Sequence, residues 1–494
     1  MIEVEVPVTK IPFVRTIEGR KFLNGKWQFP DSAAPLLVQL DLIKEDSVTR
    51  KEEQIEFELS PHLRKHQKEI CNLALNKKSL GIFADTGTGK TVIGLEIATH
   101  HKKTLVLCPL SVIETAWVDD CHRFYPGKTI VNVWANSAQE RRNKLAQDAD
   151  IYVMNYESFK ILRNDIRKVG FDCLIVDESS VMKNMNSQIT TILLQFIDVI
   201  PHRFVMSGCP TPNHNSEIFP QMKLVNPEVF GNNYYGFLAR YFHQDMANPH
   251  VWYQTDEDKD RYFARLRTQS VFLKKEDCVD LPDKIFSVRQ FDLSPEQRLY
   301  YDELENDIRQ HINEWSKIEF TAKLMKQREI VSGFVIQKDK SITTFDNYKH
   351  RALKETIEEI GNKPIVVWCQ FKHEIETLAK EFGGTALTSG TRNRDEIIRA
   401  FRDNQIHLLF THPKLLGKGV TFVNCTYNIY YSLSFSYEEF KQSQDRIHRI
   451  GQENKCTYII LQAKDTNDIK IYSSLMNKGN AVDELYYEMA KPIS

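Results

Sequence analysis

Residues 85–91 read Asp-Thr-Gly-Thr-Gly-Lys-Thr, and their types and spacing suit a grip on a chain of phosphates. Gly87 and Gly89 let the backbone wrap closely around an anion. Asp85, Thr86, Gly87, Thr88, Gly89, Lys90 and Thr91 together form the expected cradle, and the helix that follows offers free N–H groups and its positive dipole end. Lys90 is placed to neutralise β- and γ-phosphates, and the Thr91 hydroxyl to ligate magnesium. The full loop pattern wants glycine at 84, where this chain has alanine. A second cluster, Asp177-Glu178, ends the apolar run Leu174–Val176. A carboxylate at a strand tip holds magnesium through water, and its neighbour orients or deprotonates the attacking water. Arg446 and Arg449 are three apart and share a face if the segment is helical. Reaching toward a transferring phosphoryl group, such arginines are worth about 10³–10⁵ in rate. Upstream, the Gln67 amide both donates and accepts, as an adenine edge requires. The chemistry implied is hydrolysis of ATP with Mg2+. Lys90, Asp177, Glu178, Arg446 and Arg449 are the candidate catalytic residues, and Thr91 and Asp177 the metal-side ones.

These residues need a frame. Gly81–Ala84, Thr104–Cys108, Asp150–Met154, Leu174–Val176 and Arg203–Met206 are short continuous apolar runs separated by helical stretches. That alternation predicts an α/β fold with a parallel sheet covered on both faces. Ligands gather at the carboxyl ends of such strands, where the polar motifs stand. A second α/β pattern begins near residue 350, with runs at Pro364–Trp368, Ala386-Leu387, His407–Phe410, Tyr427–Tyr431 and Tyr458–Leu461 and no second phosphate loop. The expected division is a small module at 1–46, a charged linker at 47–59, and a first lobe at 60–285 with a helical insertion at about 214–285. A helical linker or insertion at 286–349, a second lobe at 350–480 and a tail at 481–494 follow. Within the insertion Asp256-Glu257-Asp258 reads as a solvated loop, and Ser294–Ser332 as helix capped by Ser294.

The first 46 residues carry alternating Val4, Val6 and Val8, then two short runs flanking Asn24-Gly25, the strongest short-range hairpin signal. Ala33–Ile43 has helical spacing, with Asp31 or Ser32 as N-cap. The unit reads as a separate ββα-like module. Arg15, Arg20, Lys21 and Lys26 beside Phe22 and Trp27 suit stacking on unpaired bases, at about 1–3 kcal/mol per base; equally, Phe22 and Trp27 could fill a tiny core.

The 494 residues suffice for about three domains. The 65 basic and 66 acidic residues nearly cancel, so any nucleic-acid surface must be a local patch. No apolar run reaches about 18 residues and the N-terminus is unlike a signal peptide, so no membrane span is expected. Nine cysteines without a Cys-x-x-Cys pair point to buried, reduced thiols inside a cell rather than zinc.

Together these pieces resemble the Swi/Snf-type branch of helicase superfamily two across residues 60 to about 480. Asp85-x-Gly87-x-Gly89-Lys90-Thr91 matches its motif I, and Leu63-x-x-x-Gln67 its adenine-reading motif. Asp177-Glu178-Ser179-Ser180 with Lys183-Asn184 matches motif II. Ser207-Gly208-Cys209-Pro210-x-x-Asn213 matches motif III, Gly417-x-Gly419 motif V, and Gln442-x-x-Asp445-Arg446-x-His448-Arg449-Ile450-Gly451-Gln452 motif VI. Alanine at 84 is a helicase-type variation. Ser180 stands where the family carries His, Cys209 where it carries Thr, and His412-Pro413-Lys414 where motif V carries Arg, so coupling of hydrolysis to movement is the part the resemblance supports least. Ile17-x-Gly19-Arg20-Lys21-Phe22 with Lys26-Trp27-x-Phe29-Pro30 resembles the HARP-type module of annealing helicases, which turns the even choice on Trp27 toward DNA. With no chromatin-reading module or long tail, the chain is similar to compact phage or bacterial forms.

The resemblance implies two RecA-like lobes, with Gly419 and Gln442 joining the nucleotide site. DNA contacts are expected at Arg20, Lys21, Trp27, Pro109, Tyr156, Gln370, Phe371, Thr388 and Lys414. It implies an ATP-dependent helicase or translocase on forked, junction or duplex DNA, acting in branch migration, fork remodelling or annealing. An RNA-stimulated helicase, or an ATP-switched DNA clamp with little hydrolysis, are the alternatives. The expected setting is cytoplasmic, in a bacterial or phage-infected cell, as a monomer, with replication or recombination proteins as further partners.

Overall fold

The computed structural model describes residues 2–15, 17, 20–23, 26–30, 33, 37, 42, 55–245, 252–278, 281–311, 314, 316–337, 339–416 and 420–488. The Asn24-Gly25 turn, Asp31 and Ser32, most of the expected 33–43 helix and 47–59 linker, the Gly417-x-Gly419 motif and the end of the tail lie outside these residues. The chain divides into two compact units, Met1–Asp280 with Asn480–Ser494, and Leu281–Gly479.

The first unit holds a seven-stranded sheet, all parallel. Its order is Ser270–Leu273, Leu80–Ala84, His202–Ser207, Cys173–Asp177, Thr104–Cys108, Ile151–Asn155 and Ile130–Asn132. The strands read as continuous apolar runs because both faces are covered: every residue of Leu80–Ala84 and Thr104–Cys108 is buried. This order sets the strand before the phosphate loop beside His202–Ser207, and that beside Cys173–Asp177. The three loops that leave them share one carboxyl edge.

The second unit holds a six-stranded parallel sheet in the order Lys284–Phe291, Cys456–Ala463, Tyr427–Tyr430, Ile365–Trp368, Leu408–Thr411 and Thr385–Leu387. Alternate residues feed two cores, as the two-residue period of a strand requires. Ile365, Val367, Ile459 and Leu461 enter one, and Val366, Trp368, Tyr458 and Ile460 the other.

Several expectations are corrected. Asp256-Glu257-Asp258 is no solvated loop. It opens the helix Asp256–Arg267, where Thr255 caps the N–H of Asp258 and the Asp258 carboxylate returns to Thr255, because acidic side chains favour a helix N-terminus. The 286–349 stretch is not only helical. Lys284–Phe291 is an edge strand of the second sheet, and Phe334–Ile336 pairs with Ile342–Thr344. Between them the helix breaks into Pro295–His311 and Lys317–Val331, the second capped by Ser316. Ser294 does accept from the Gln297 N–H at 3.3 Å. The helix Asn467–Glu488 runs on into the expected tail.

The N-terminal module is not separate. Ile2–Val4, Lys26–Phe29 and Lys21–Leu23 form a three-stranded antiparallel sheet. Val4, Val8, Ile11, Val14, Trp27 and Phe29 join one core with Ile70, Ala74 and Val271 of the first lobe. The Glu69 carboxylate accepts the Val8 N–H, and Arg15 pairs with Asp277. Too few apolar residues stand in the module to close a core alone, so it borrows the lobe's.

Candidate active site

The loop between Leu80–Ala84 and the helix Lys90–Thr99 has the backbone its glycines predict, with Gly87 at φ 90° and Gly89 at φ 86°. Gly89 is also required sterically, since a Cβ there would come within 2.2 Å of Gln67 Nε2. Gln67 and His66 lie on the helix Lys65–Lys77 and bind the loop together. Gln67 Nε2 donates to the Thr88 carbonyl at 3.2 Å, and His66 Nε2 meets the same oxygen at 3.0 Å. Burial lowers the His66 pKa, so a neutral ring donates there. The Gln67 amide oxygen accepts the Arg64 N–H at 2.9 Å, closing a capping box.

Lys90 is buried, its ammonium folded back on the carbonyls of Ala84 at 2.7 Å and Asp85 at 3.1 Å. Asp85 and Thr88 differ from expectation. The Asp85 carboxylate accepts the Lys275 N–H at 3.1 Å, and the Thr88 hydroxyl donates to the Asp85 carbonyl at 2.7 Å. Their side chains shape the loop, leaving phosphate contact to its N–H groups. Thr91 opens the helix, half-buried. Thr86 touches Gly208 of motif III: a Cβ on Gly208 would lie 3.3 Å from Thr86 Oγ1.

Asp177 ends its strand buried, with one carboxylate oxygen accepting from Trp117 Nε1 at 3.2 Å and its carbonyl accepting from the Tyr156 hydroxyl. Trp117 sits on a π-helical turn, Ile113–Val118, after Thr104–Cys108. Glu178 adopts a left-handed backbone, φ 58° and ψ 53°, uncommon for a residue with a side chain and typical of functional turns. The next loops are tied by Gln221. It accepts from the Ser179 hydroxyl at 2.7 Å and donates to the Pro210 carbonyl at 2.7 Å. His66, Trp117 and Gln221 were not singled out in the sequence. The only signal was that a buried tryptophan N–H must find an acceptor.

In the second unit the expected helical face for Arg446 and Arg449 is corrected. The helix Tyr437–Gln444 stops before them, because the Tyr458 hydroxyl takes the Gln444 carbonyl and the Phe422 N–H takes that of Arg446. Arg446 is buried and donates to the Val420 carbonyl at 3.3 Å; Arg449 is half-buried and donates to Thr421 Oγ1 at 3.0 Å. Gln452 gathers the carbonyls of Val423, Cys425 and Ile447 through one amide nitrogen. Motif VI is thereby wired to the segment after Gly419, itself outside the described residues. Gln442 donates to Glu438 at 3.1 Å.

Of the expected DNA contacts, Pro109 and Tyr156 follow strand ends of the first sheet, and Gln370, Phe371, Thr388 and Lys414 those of the second. Phe371 lies under the Arg328 guanidinium, 5.4 Å from ring centroid, and Lys414 pairs with Glu439 at 3.0 Å. Arg20 and Lys21 are exposed. Trp27 is corrected: its indole is 5% exposed, between Phe22 and Phe29, and so is core rather than a stacking platform. Burial of the ring outweighs display beside its basic neighbours.

A loop with this backbone, a lysine at its end and a strand-tip carboxylate two strands away fit a nucleoside triphosphate and a divalent cation. The SNF2-related domain model matches residues 43–347, and the Helicase conserved C-terminal domain model residues 348–451. The chain belongs to the SNF2-related family. It is similar to putative protein p41 of Acyrthosiphon pisum secondary endosymbiont phage 1, at 26% identity over 87% of this chain and 98% of that protein. It is 23% identical to the Caenorhabditis elegans SWI/SNF-related matrix-associated actin-dependent regulator of chromatin subfamily A-like protein 1 homolog, over 84% of this chain and 60% of that one. The human DNA annealing helicase and endonuclease ZRANB3 is 23% identical over 83% of this chain and 39% of its own length. The chain thus spans three-fifths or less of these two animal relatives. As in an SNF2-related helicase, two parallel-sheet lobes carry the motifs at strand ends. Among the described residues no helix is long and apolar enough to cross a membrane.

Proposed function

We propose that the chain is a DNA-dependent ATPase that translocates on DNA and remodels branched or forked substrates. The observation that carries the ATPase half is the Lys90 loop and the Trp117-held Asp177 on one carboxyl edge. In this reading the loop N–H groups and Lys90 hold the phosphates, and Thr91 and Asp177 hold magnesium. Magnesium, when bound, supplies charge neutralisation at the β- and γ-oxygens. Glu178 orients or deprotonates the attacking water, and Arg446 and Arg449 act on the charge that develops on the transferred phosphoryl group. Gly419 and Gln442 complete the nucleotide contacts.

Support for the branched-DNA half is the similarity to a protein named as a DNA annealing helicase and the exposed Arg20 and Lys21 of the HARP-like module. The strand-end residues Pro109, Tyr156, Gln370, Phe371, Thr388 and Lys414 would track the duplex backbone. The test is phosphate release with forks, Holliday junctions, blunt duplex and RNA, with Arg20→Glu and Lys21→Glu in parallel. Deleting residues 1–46 would remove part of the lobe's own core, so charge reversal is the cleaner probe. Equal stimulation by RNA and DNA would sink the DNA assignment. A fork preference indifferent to both reversals would sink the module's role.

A further inference from the structure

Gln221 has no exposed surface, yet three polar groups converge on its amide. Its nitrogen donates to the Pro210 carbonyl at 2.7 Å and to the Glu217 carbonyl at 3.1 Å, and its oxygen accepts from the Ser179 hydroxyl at 2.7 Å. The orientation is chemically forced: two carbonyls can meet only the NH₂ end, which leaves the oxygen for a hydroxyl that must donate. Ser179 and Pro210 belong to the loops that leave adjacent strands, Cys173–Asp177 and His202–Ser207. Ser179 follows Asp177 and Glu178 directly. Pro210 follows Gly208, which packs on Thr86 of the phosphate loop. One turn earlier on the same helical segment, Glu217 grips Asn213, taking its backbone N–H at 3.0 Å and its side-chain amide at 2.7 Å. Positions 217 and 221 thus hold motif III at Asn213 and Pro210, and 221 alone extends to motif II.

We propose that Gln221 is a positioning residue that transmits the state of the Asp177-Glu178 loop to the 207–213 loop. It does in this chain what Ser180 and Cys209 are too short to do across the same gap. No other printed hydrogen bond joins these two loops among the described residues. The proposal rests on the ATPase reading for its consequence in turnover, and not for the linkage itself.

Gln221→Leu keeps the volume and removes both ends of the bridge; Ser179→Ala removes one end at less risk to folding. With the full chain, both variants should keep DNA-free ATP turnover and the KM for ATP within about twofold and lose roughly tenfold of the DNA stimulation. The double variant should lose no more than Gln221→Leu alone, as for one shared interaction. Hydrogen exchange gives a readout independent of hydrolysis. On addition of magnesium and a non-hydrolysable ATP analogue, protection at 177–183 and 207–213 should change together in the unaltered chain, and only at 177–183 in Ser179→Ala. Loss of basal and stimulated rates in equal proportion, or an unchanged 207–213 response in Ser179→Ala, overturns the proposal. An unaltered chain that binds nucleotide without turnover overturns the ATPase reading alone, because the exchange comparison still decides this one.

Discussion

The Trp117 indole, wholly buried, donates its N–H to the Asp177 carboxylate at 3.2 Å. Gly94 on the phosphate-loop helix makes room for that ring, since a Cβ there would lie 2.6 Å from Trp117 Cη2. The carboxylate expected to hold magnesium is therefore oriented from behind by a rigid donor. Trp117→Phe keeps most of the packing and removes about 1.5 kcal/mol of charge-assisted bonding. The magnesium concentration for half-maximal ATPase should rise about tenfold, with little change in DNA affinity. An unaltered magnesium titration would show that Trp117 only fills space.

Lys90→Ala should leave the fold intact, because its ammonium meets only the two loop carbonyls of Ala84 and Asp85 among the printed bonds. ATP turnover should fall by about 10²-fold or more, as when a donor to developing charge is removed. Circular dichroism checks the fold and phosphate release the rate. Retained DNA-stimulated hydrolysis would end the assignment of this loop.

Glu96, six residues along the same helix, is buried where burial pushes its carboxyl up, but donors from His100, Ser60 and Tyr125 outweigh it and hold it at about 2. A depressed carboxyl contributes stability that is present above its unfolded value near 4.5 and is lost as pH falls from there toward 2. Tyr125→Phe removes the 2.8 Å bond to Glu96. The acid-unfolding midpoint of the first lobe should move upward in pH, while stability at pH 7 drops by about 1–2 kcal/mol. Coincident acid transitions for variant and parent would contradict this.

Trp27 and Lys21 should separate cleanly. Trp27→Ala empties a core position, costing about 3–5 kcal/mol, and any loss of DNA binding should track loss of fold in a melting curve. Lys21→Glu should leave melting unchanged, weaken fork binding and flatten its salt dependence. A Trp27→Phe variant with native stability and lost fork binding would restore the stacking reading.

What was legible in the sequence follows from how unambiguous each physical signal is. Thr104–Cys108 reads as a strand because every residue is apolar and bounded, and Gly87 and Gly89 read as a loop because few other residues accept their φ. Lys284–Phe291 escaped because an edge strand with exposed Ile285, Phe286 and Val288 has neither clean alternation nor a continuous apolar run. The three-residue strand Ile130–Asn132 is too short to stand out. Arg446 and Arg449 carry helical spacing, but the carbonyls a longer helix needs are taken by Tyr458 and Phe422, partners distant in sequence. Trp117, His66 and Gln221 share that limit. Each acts through an acceptor or donor that only the sheet order brings near.

The π-helical turn at Ile113–Val118 accommodates one residue more per turn than an α-helix would. Register there is consequently a switch in the gene as much as in the protein. Deleting a single codon, such as that for Thr115, would let the turn relax to ordinary α-geometry and swing Trp117 about 100° around the axis, away from Asp177. A loss of one amino acid outside every helicase motif would then resemble a lesion in motif II, while substitutions at the exposed Glu114 and Thr115 would pass almost unnoticed.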